Sequence, residues 1–167
     1  TGTEYAVSTD SDVYVYDLAS GRTRNICKGY FVGEEPVEDL RLRIMPAMGG
    51  YDKYPVWSPD DSQIAIRSMR RPGNESDKDR LLVYNCAEES FTAVTERFDY
   101  NAANVVWEGN ESIYFIAPIE ATHQVCRVAV ATGEVEVLTE GDHDINAFTK
   151  VGEKMVAEIT TISSATE

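Results

Sequence analysis

The sequence predicts an all-β fold: a partial β-propeller of four-stranded antiparallel blades, two of them full and two partial. Three observations predict it. A strand, a Trp, a polar turn and an apolar strand recur fifty residues apart. A second pattern, strand–turn–strand, interleaves with the first. Together they give a unit of about 45–50 residues, the period of a propeller blade.

The first pattern begins at Tyr54-Pro-Val-Trp57. A strand ends at Trp57, Ser58-Pro-Asp-Asp61 supplies turn residues, and a second strand starts near Gln63 and runs through Ile64 and Ile66. Asn104-Val-Val-Trp107, a polar turn and Ile113-Tyr-Phe-Ile116 repeat it. Asp144–Ile159 is a weaker third copy, with Phe148 roughly where the Trp stands. The interleaved pattern reads Val13–Ile26 with a turn at Gly21, Leu81–Thr95 without a Gly, and Val125–Thr139 with a turn at Gly133. A blade of this kind has two apolar faces and is stable only when stacked on neighbours. Trp57 and Trp107 are therefore expected to fill the wedge between blades.

Counting strands divides the chain into a partial blade (1–29), an insertion (28–53), a blade (54–96), a second blade (103–140) and a closing partial blade (144–167). The first partial blade should hold strands around Glu4–Ser8, Asp12–Asp17 and Arg22–Cys27, and the insertion an extra strand over Leu40–Met45. A closed ring usually needs at least four blades, and open sheet edges invite unwanted pairing. The chain is accordingly expected to be a fragment of a larger propeller.

Composition excludes several functions. The 167 residues suffice for a real core, and a hydrophobic fraction of 43% argues against disorder. With 15 basic and 29 acidic residues the net charge is −14, which repels nucleic acid and anionic membranes. No apolar run approaches the roughly 20 residues of a membrane span, and Thr1-Gly2-Thr3-Glu4 does not open a signal peptide. Cys27, Cys86 and Cys126 form no CxxC pair and read as simple thiols buried in strands.

A search for chemistry returns no catalytic residue. No glycine opens a G-x-S-x-G elbow, and no phosphate loop occurs. His123 reads as part of a loop joining two strands, and His143 lies between blades among loop acids. Neither makes a metal site. Asp10 and Asp12 fail the calcium-loop pattern because Tyr14 stands where a third ligand belongs. Glu34, Glu35, Glu38 and Asp39 read as a solvated acidic loop. No metal and no cofactor are expected. The polar insertion Arg70–Asp79, between the second and third strands of the middle blade, is the place to look for binding, because loops on a repeat scaffold carry function. Arg67, Arg70, Arg71, Glu75 and Asp77 are the candidate substrate-binding residues.

The stretch Tyr54–Ile66 resembles the Trp-Ser-Pro-Asp-Gly blade repeats of TolB and prolyl oligopeptidase propellers. Ser68–Leu82 is similar to the Ser-Met…Asp-Lys-x-Arg segment of bacterial dipeptidyl-peptidase-like and acylaminoacyl-peptidase-like serine peptidases. So are Ala121-Thr-His-Gln124, Gly141-Asp-His-Asp144 and the closing Ile162–Glu167. The resemblance covers nearly all of the chain except Lys28–Lys53. It implies a propeller joined, in the same polypeptide, to a C-terminal α/β-hydrolase domain that carries the Ser, Asp and His of catalysis. No triad residue carries over to this chain. The propeller of such an enzyme gates and orients peptide substrates, and in some members offers acidic residues to the substrate amine. Arg70 departs from that pattern, standing where related dipeptidyl peptidases often carry an acidic residue. Glu75 and Asp77 remain as acidic contributors. The resemblance further implies a periplasmic or secreted location; the charge already argues against a nucleic-acid or membrane partner. The alternative reading is a TolB-like propeller that serves only as a protein-binding platform.

Overall fold

The computed structural model describes residues 10–28, 30, 31, 50–71, 73 and 76–161. The expected strands at Glu4–Ser8 and Leu40–Met45 lie outside these residues, as does Glu75. The described elements are all strands, in four antiparallel sheets. The first sheet holds β1 (Tyr14–Tyr16), β2 (Thr23–Asn25) and β3 (Tyr30–Phe31). The second holds β4 (Asp52–Trp57), β5 (Gln63–Ser68), β6 (Arg80–Asn85) and β7 (Ser90–Ala93). The third holds β8 (Ala103–Glu108), β9 (Ser112–Ile119), β10 (Thr122–Ala129) and β11 (Val135–Val137). The fourth holds β12 (Asp144–Val151) and β13 (Lys154–Thr160). Strands follow one another in sequence order across each sheet, the meander of a propeller blade. Among the described residues two four-stranded sheets are flanked by one of three strands and one of two.

The core lies between the sheets. Side chains alternate across a strand, so a strand that is apolar throughout can feed two neighbours. Ile64, Ile66, Leu82 and Tyr84 of the second sheet pack against Val13, Ile26 and Cys27. The intervening Ala65, Leu81 and Val83 turn the other way, onto Ile113, Phe115, Ala117, Cys126 and Val128 of the third sheet. Tyr114, Ile116 and Val125 then meet Ile145 and Phe148 of the fourth. Three successive clusters thus stack four sheets, which is why the central strands β5, β6, β9 and β10 read as near-continuous apolar runs.

The repeat extends to irregularities. The β4–β5 ladder shifts register between Lys53 and Val56, and β8–β9 between Ala103 and Val106. Tyr54 and Asn104, fifty residues apart, both take positive φ there, 54° and 49°. These bulges re-aim the innermost strand of each blade. For Asn104 this conformation is accessible. For the aromatic Tyr54 it is strained.

The two Trp residues do not share one fate. Trp107 is half-buried, and its indole Nε1 donates to the Val56 carbonyl of β4 at 3.0 Å. Trp57 is 47% exposed, against the expectation of a filled wedge. The reason is the neighbour: Trp107 leans on β4 of the preceding sheet, whereas no described strand of the first sheet packs comparably on β4 to cover Trp57. The thiols also differ from expectation. Only Cys126 is buried in a strand; Cys27 and Cys86 lie in turns just after β2 and β6, and all three are unpaired. His123 stands not in a loop but at the start of β10, after the two-residue turn Glu120-Ala121.

Candidate functional site

The insertion after β5 emerges where β4 begins and β6 starts, so charged residues from three segments converge at one end of the second sheet. Register sets the faces. Lys53, Arg67 and Leu81 are aligned across β4, β5 and β6, and Asp52, Ser68 and Arg80 form the next row. Neighbouring rows point to opposite faces. At the β4 entrance Gly50 passes close to the β5 exit: a Cβ there would overlap the Met69 carbonyl, so only glycine fits.

On the first face Asp79 is the hub. Its side chain is 3% exposed, and its Oδ2 accepts from the Arg67 guanidinium and lies 3.4 Å from Lys53 Nζ. The exposed Tyr54 ring lies 4.9 Å from the Arg67 guanidinium carbon, and the Tyr51 ring 3.9 Å from Lys53 Nζ. Both are cation–π distances. The strained Tyr54 backbone therefore presents an aromatic face beside two cations. Arg67 Nε and Asp79 Oδ1 are buried without a hydrogen-bond partner.

Arg80 is the other hub, and only 1% of it is exposed. Its NH1 reaches Glu96 Oε2 at 3.3 Å, while its Nε and NH2 have no partner. Burial, then repulsion from Arg70, lowers its pKa from the usual arginine value. Leaving guanidinium donors unpaired in the interior is costly. Arg70 joins Arg80 on the Glu96 carboxylate. Lys78 Nζ donates to the carbonyls of Glu96 and Phe98, both at 2.8 Å, and burial lowers its pKa. These contacts tie the insertion to the β7–β8 connection.

The candidate residues fall into two places. Arg67 belongs to the half-buried Asp79 cluster. Arg70 and Arg71 lie on the surface, with side chains 52% and 70% exposed. Arg71 grips Asp77 with Nε–Oδ2 3.1 Å and NH2–Oδ1 2.6 Å. That fork holds the Asp77 carboxyl below its usual pKa and raises that of Arg71. Sequence reasoning missed Tyr54, Lys53, Asp79, Arg80 and Glu96. The sequence carries no signal for Asp79 and Arg80, because charged residues at a strand start are rarely buried.

Elsewhere, His123 Nδ1 sits 2.7 Å from Asp144 Oδ1, and this exposed contact lowers the Asp144 pKa. No described helix is long and apolar enough to cross a membrane.

Comparison with known proteins places these blades. No family model matches the chain. It is 38% identical over 159 residues to dipeptidyl-peptidase 5 of Porphyromonas gingivalis, covering 95% of this chain and 21% of that protein. It is 33% identical over 158 residues to dipeptidyl-peptidase 5 of Porphyromonas endodontalis, covering 94% and 20%. The chain thus spans about a fifth of the curated relatives it matches. Among solved structures, an acylaminoacyl peptidase from Pyrococcus horikoshii superposes with a TM-score of 0.62 at 18% identity, over 93% of this chain and 20% of that one. The β-propeller domain of the Trilobed protease from Pyrococcus furiosus gives 0.60 at 18% identity, over 93% and 39%. TolB from Acinetobacter baumannii gives 0.55 at 11% identity, over 95% and 37%. The chain is a stretch of β-propeller blades homologous, along nearly all of its length, to about a fifth of dipeptidyl-peptidase 5.

Proposed function

We propose that this chain is the propeller part of a serine exopeptidase of the dipeptidyl-peptidase kind, and that it gates and orients peptide substrates. Attack on the substrate carbonyl belongs to an α/β-hydrolase domain elsewhere in the same polypeptide. The observation that carries the reading is the sequence identity to dipeptidyl-peptidase 5 along 95% of the chain. The charged end of the second sheet supports it. Arg67, Arg70 and Arg71 supply donors for peptide carbonyl or carboxylate oxygens, and Tyr54 a surface for a side chain. Asp77, with Glu75 outside the described residues, supplies negative charge for a free amine. In this role the blades position the peptide and exclude bulkier chains, a contribution of orientation and not of chemistry. The reading places the enzyme in the periplasm or outside the cell.

The test is hydrolysis of dipeptidyl chromogenic substrates by the full-length polypeptide. Turnover blocked by a serine-directed inhibitor is expected, and the 167-residue chain alone should give none. Arg70→Ala and Arg71→Ala should raise KM by about tenfold at unchanged kcat, the mark of lost uniform binding. A full-length protein that lacks any hydrolase domain, or turnover by the blades alone, overturns the proposal. The first of these outcomes would favour a TolB-like binding platform.

A further inference from the structure

The seam between the first and second sheets carries a feature that the peptidase reading does not use. Backbone hydrogen bonds close this seam. Ser11 N–H donates to Gly50 O at 3.2 Å, Asp52 N–H donates to Ser11 O at 3.0 Å, and Ser11 Oγ donates to Asp52 O at 2.9 Å. Ser11 and Tyr51 form a parallel bridge. The zipper brings together three side chains from distant parts of the sequence: Asp12, Cys27 and Asp52. One ligand atom from each lies within 4.8 Å of the other two.

Each of the three is held in place. Cys27 Sγ accepts from the Val13 N–H at 3.2 Å. Asp12 Oδ2 accepts from Asn25 Nδ2 at 2.9 Å and from Lys28 Nζ at 2.6 Å. Asp52 is 3% exposed, and its Oδ1 has no hydrogen-bond partner. A buried carboxylate oxygen without a donor costs free energy unless something satisfies it. A bound cation satisfies that oxygen and neutralises the buried negative charge.

The geometry points to a divalent transition-metal site at Asp12, Cys27 and Asp52, of the zinc class, that clips the first sheet to the second. One sulfur and two carboxylate oxygens suit zinc better than calcium or magnesium, which take oxygen alone. Zinc holds sulfur at about 2.3 Å and oxygen at about 2.0–2.2 Å, so tetrahedral ligands sit roughly 3.3–3.8 Å apart. The three side chains need only close by about an ångström. Water completes the fourth position. Binding releases the Cys27 thiol proton, and any proton on Asp52, to solvent; the sulfur–hydrogen bond breaks, the sulfur–metal bond forms, and nothing is oxidised or reduced. Asp52 shares its row with Ser68 and Arg80, but the site does not rest on the peptidase reading and its test reads metal binding alone.

The experiment is titration of the metal-stripped full chain with Zn²⁺ and, separately, Co²⁺, comparing the wild type with single variants. A thiolate-to-cobalt charge-transfer band is expected in the wild type and absent in Cys27→Ser. Asp52→Asn and Asp12→Asn should weaken Zn²⁺ binding by more than the roughly 10–100-fold that loss of an outer-shell partner causes. Cys86→Ser should keep the band. Zn²⁺ should raise the Tm of the wild type and leave that of Cys27→Ser unmoved. Circular dichroism confirms that each variant is folded; if Cys27→Ser is not, Asp12→Asn, at the half-buried edge, decides. No cobalt–thiolate band in the wild type, or Zn²⁺ binding unaffected by Cys27→Ser and by Asp12→Asn, overturns the site. Neither outcome depends on catalytic activity, so failure here leaves the peptidase proposal standing, and the reverse.

Discussion

The second and third sheets are built from one pattern and put to different uses. Both carry a Trp at the end of the innermost strand and a bulge with positive φ three residues before it, at Tyr54 and Asn104. Both pack into one shared core through Leu81, Val83, Ile113 and Phe115. They part at the turn between their second and third strands. In the third sheet Glu120-Ala121 makes that turn, both residues at positive φ, as a tight hairpin requires. In the second sheet a polar insertion takes its place, and its Arg70, Lys78 and Asp79 join a network with Lys53, Arg67, Arg80 and Glu96. The regular blade shows what the scaffold needs; whatever the other adds is available for function.

Several measurements would break or sharpen this comparison. Phe115→Ala strikes the core common to both blades, where the side chain is fully buried, and should cost about 3–5 kcal/mol in urea unfolding. A smaller loss would mean that the two sheets do not share one core. Asp79→Ala should follow, at roughly 3–5 kcal/mol, because it strands Arg67 and Lys53 beside a buried position. The corresponding rim change in the third sheet, Glu136→Ala, removes only an exposed partner of Arg127 and should leave the urea midpoint nearly unchanged. The Trp pair gives the most direct contrast. Trp107→Ala should lose about 2–3 kcal/mol of packing and its bond to Val56, whereas Trp57→Ala should stay within about 0.5 kcal/mol. Equal losses would show that Trp57 is covered in the intact protein. The smallest effect is chemical. Burial pushes the Cys126 thiol up to about 11, so at pH 8 it stays protonated and should resist a disulfide-exchange reagent until the protein unfolds.

Much of the fold is readable in the sequence because blade strands are short and locally punctuated. Ser58-Pro-Asp-Asp61 stops β4 and Gly133 turns β10 into β11 whatever lies around them. The alternating apolar faces of Leu81–Tyr84 and Ile113–Ile116 mark strands buried on both sides. The candidate site is readable only in part. Arg70 and Arg71 stand out as charges in a polar insertion. Arg80 does not, since its burial and its contact with Glu96 depend on segments distant in sequence. His123 reads as loop because a two-residue turn leaves little polar sequence to mark the hairpin.

The sequence by itself determined the local terms: where strands run, where they turn, and that each sheet needs a neighbour on both faces. Periodicity and turn chemistry are short-range, so neighbouring residues suffice to write them. Only the tertiary structure decided that Trp107 finds a strand to lean on while Trp57 stays open. It alone aligned Asp52, Ser68 and Arg80 in one row and set Asp12, Cys27 and Asp52 within 4.8 Å of one another. Those outcomes depend on which sheet stacks on which and in what register. That is a matter of packing between distant segments, and no local pattern encodes it.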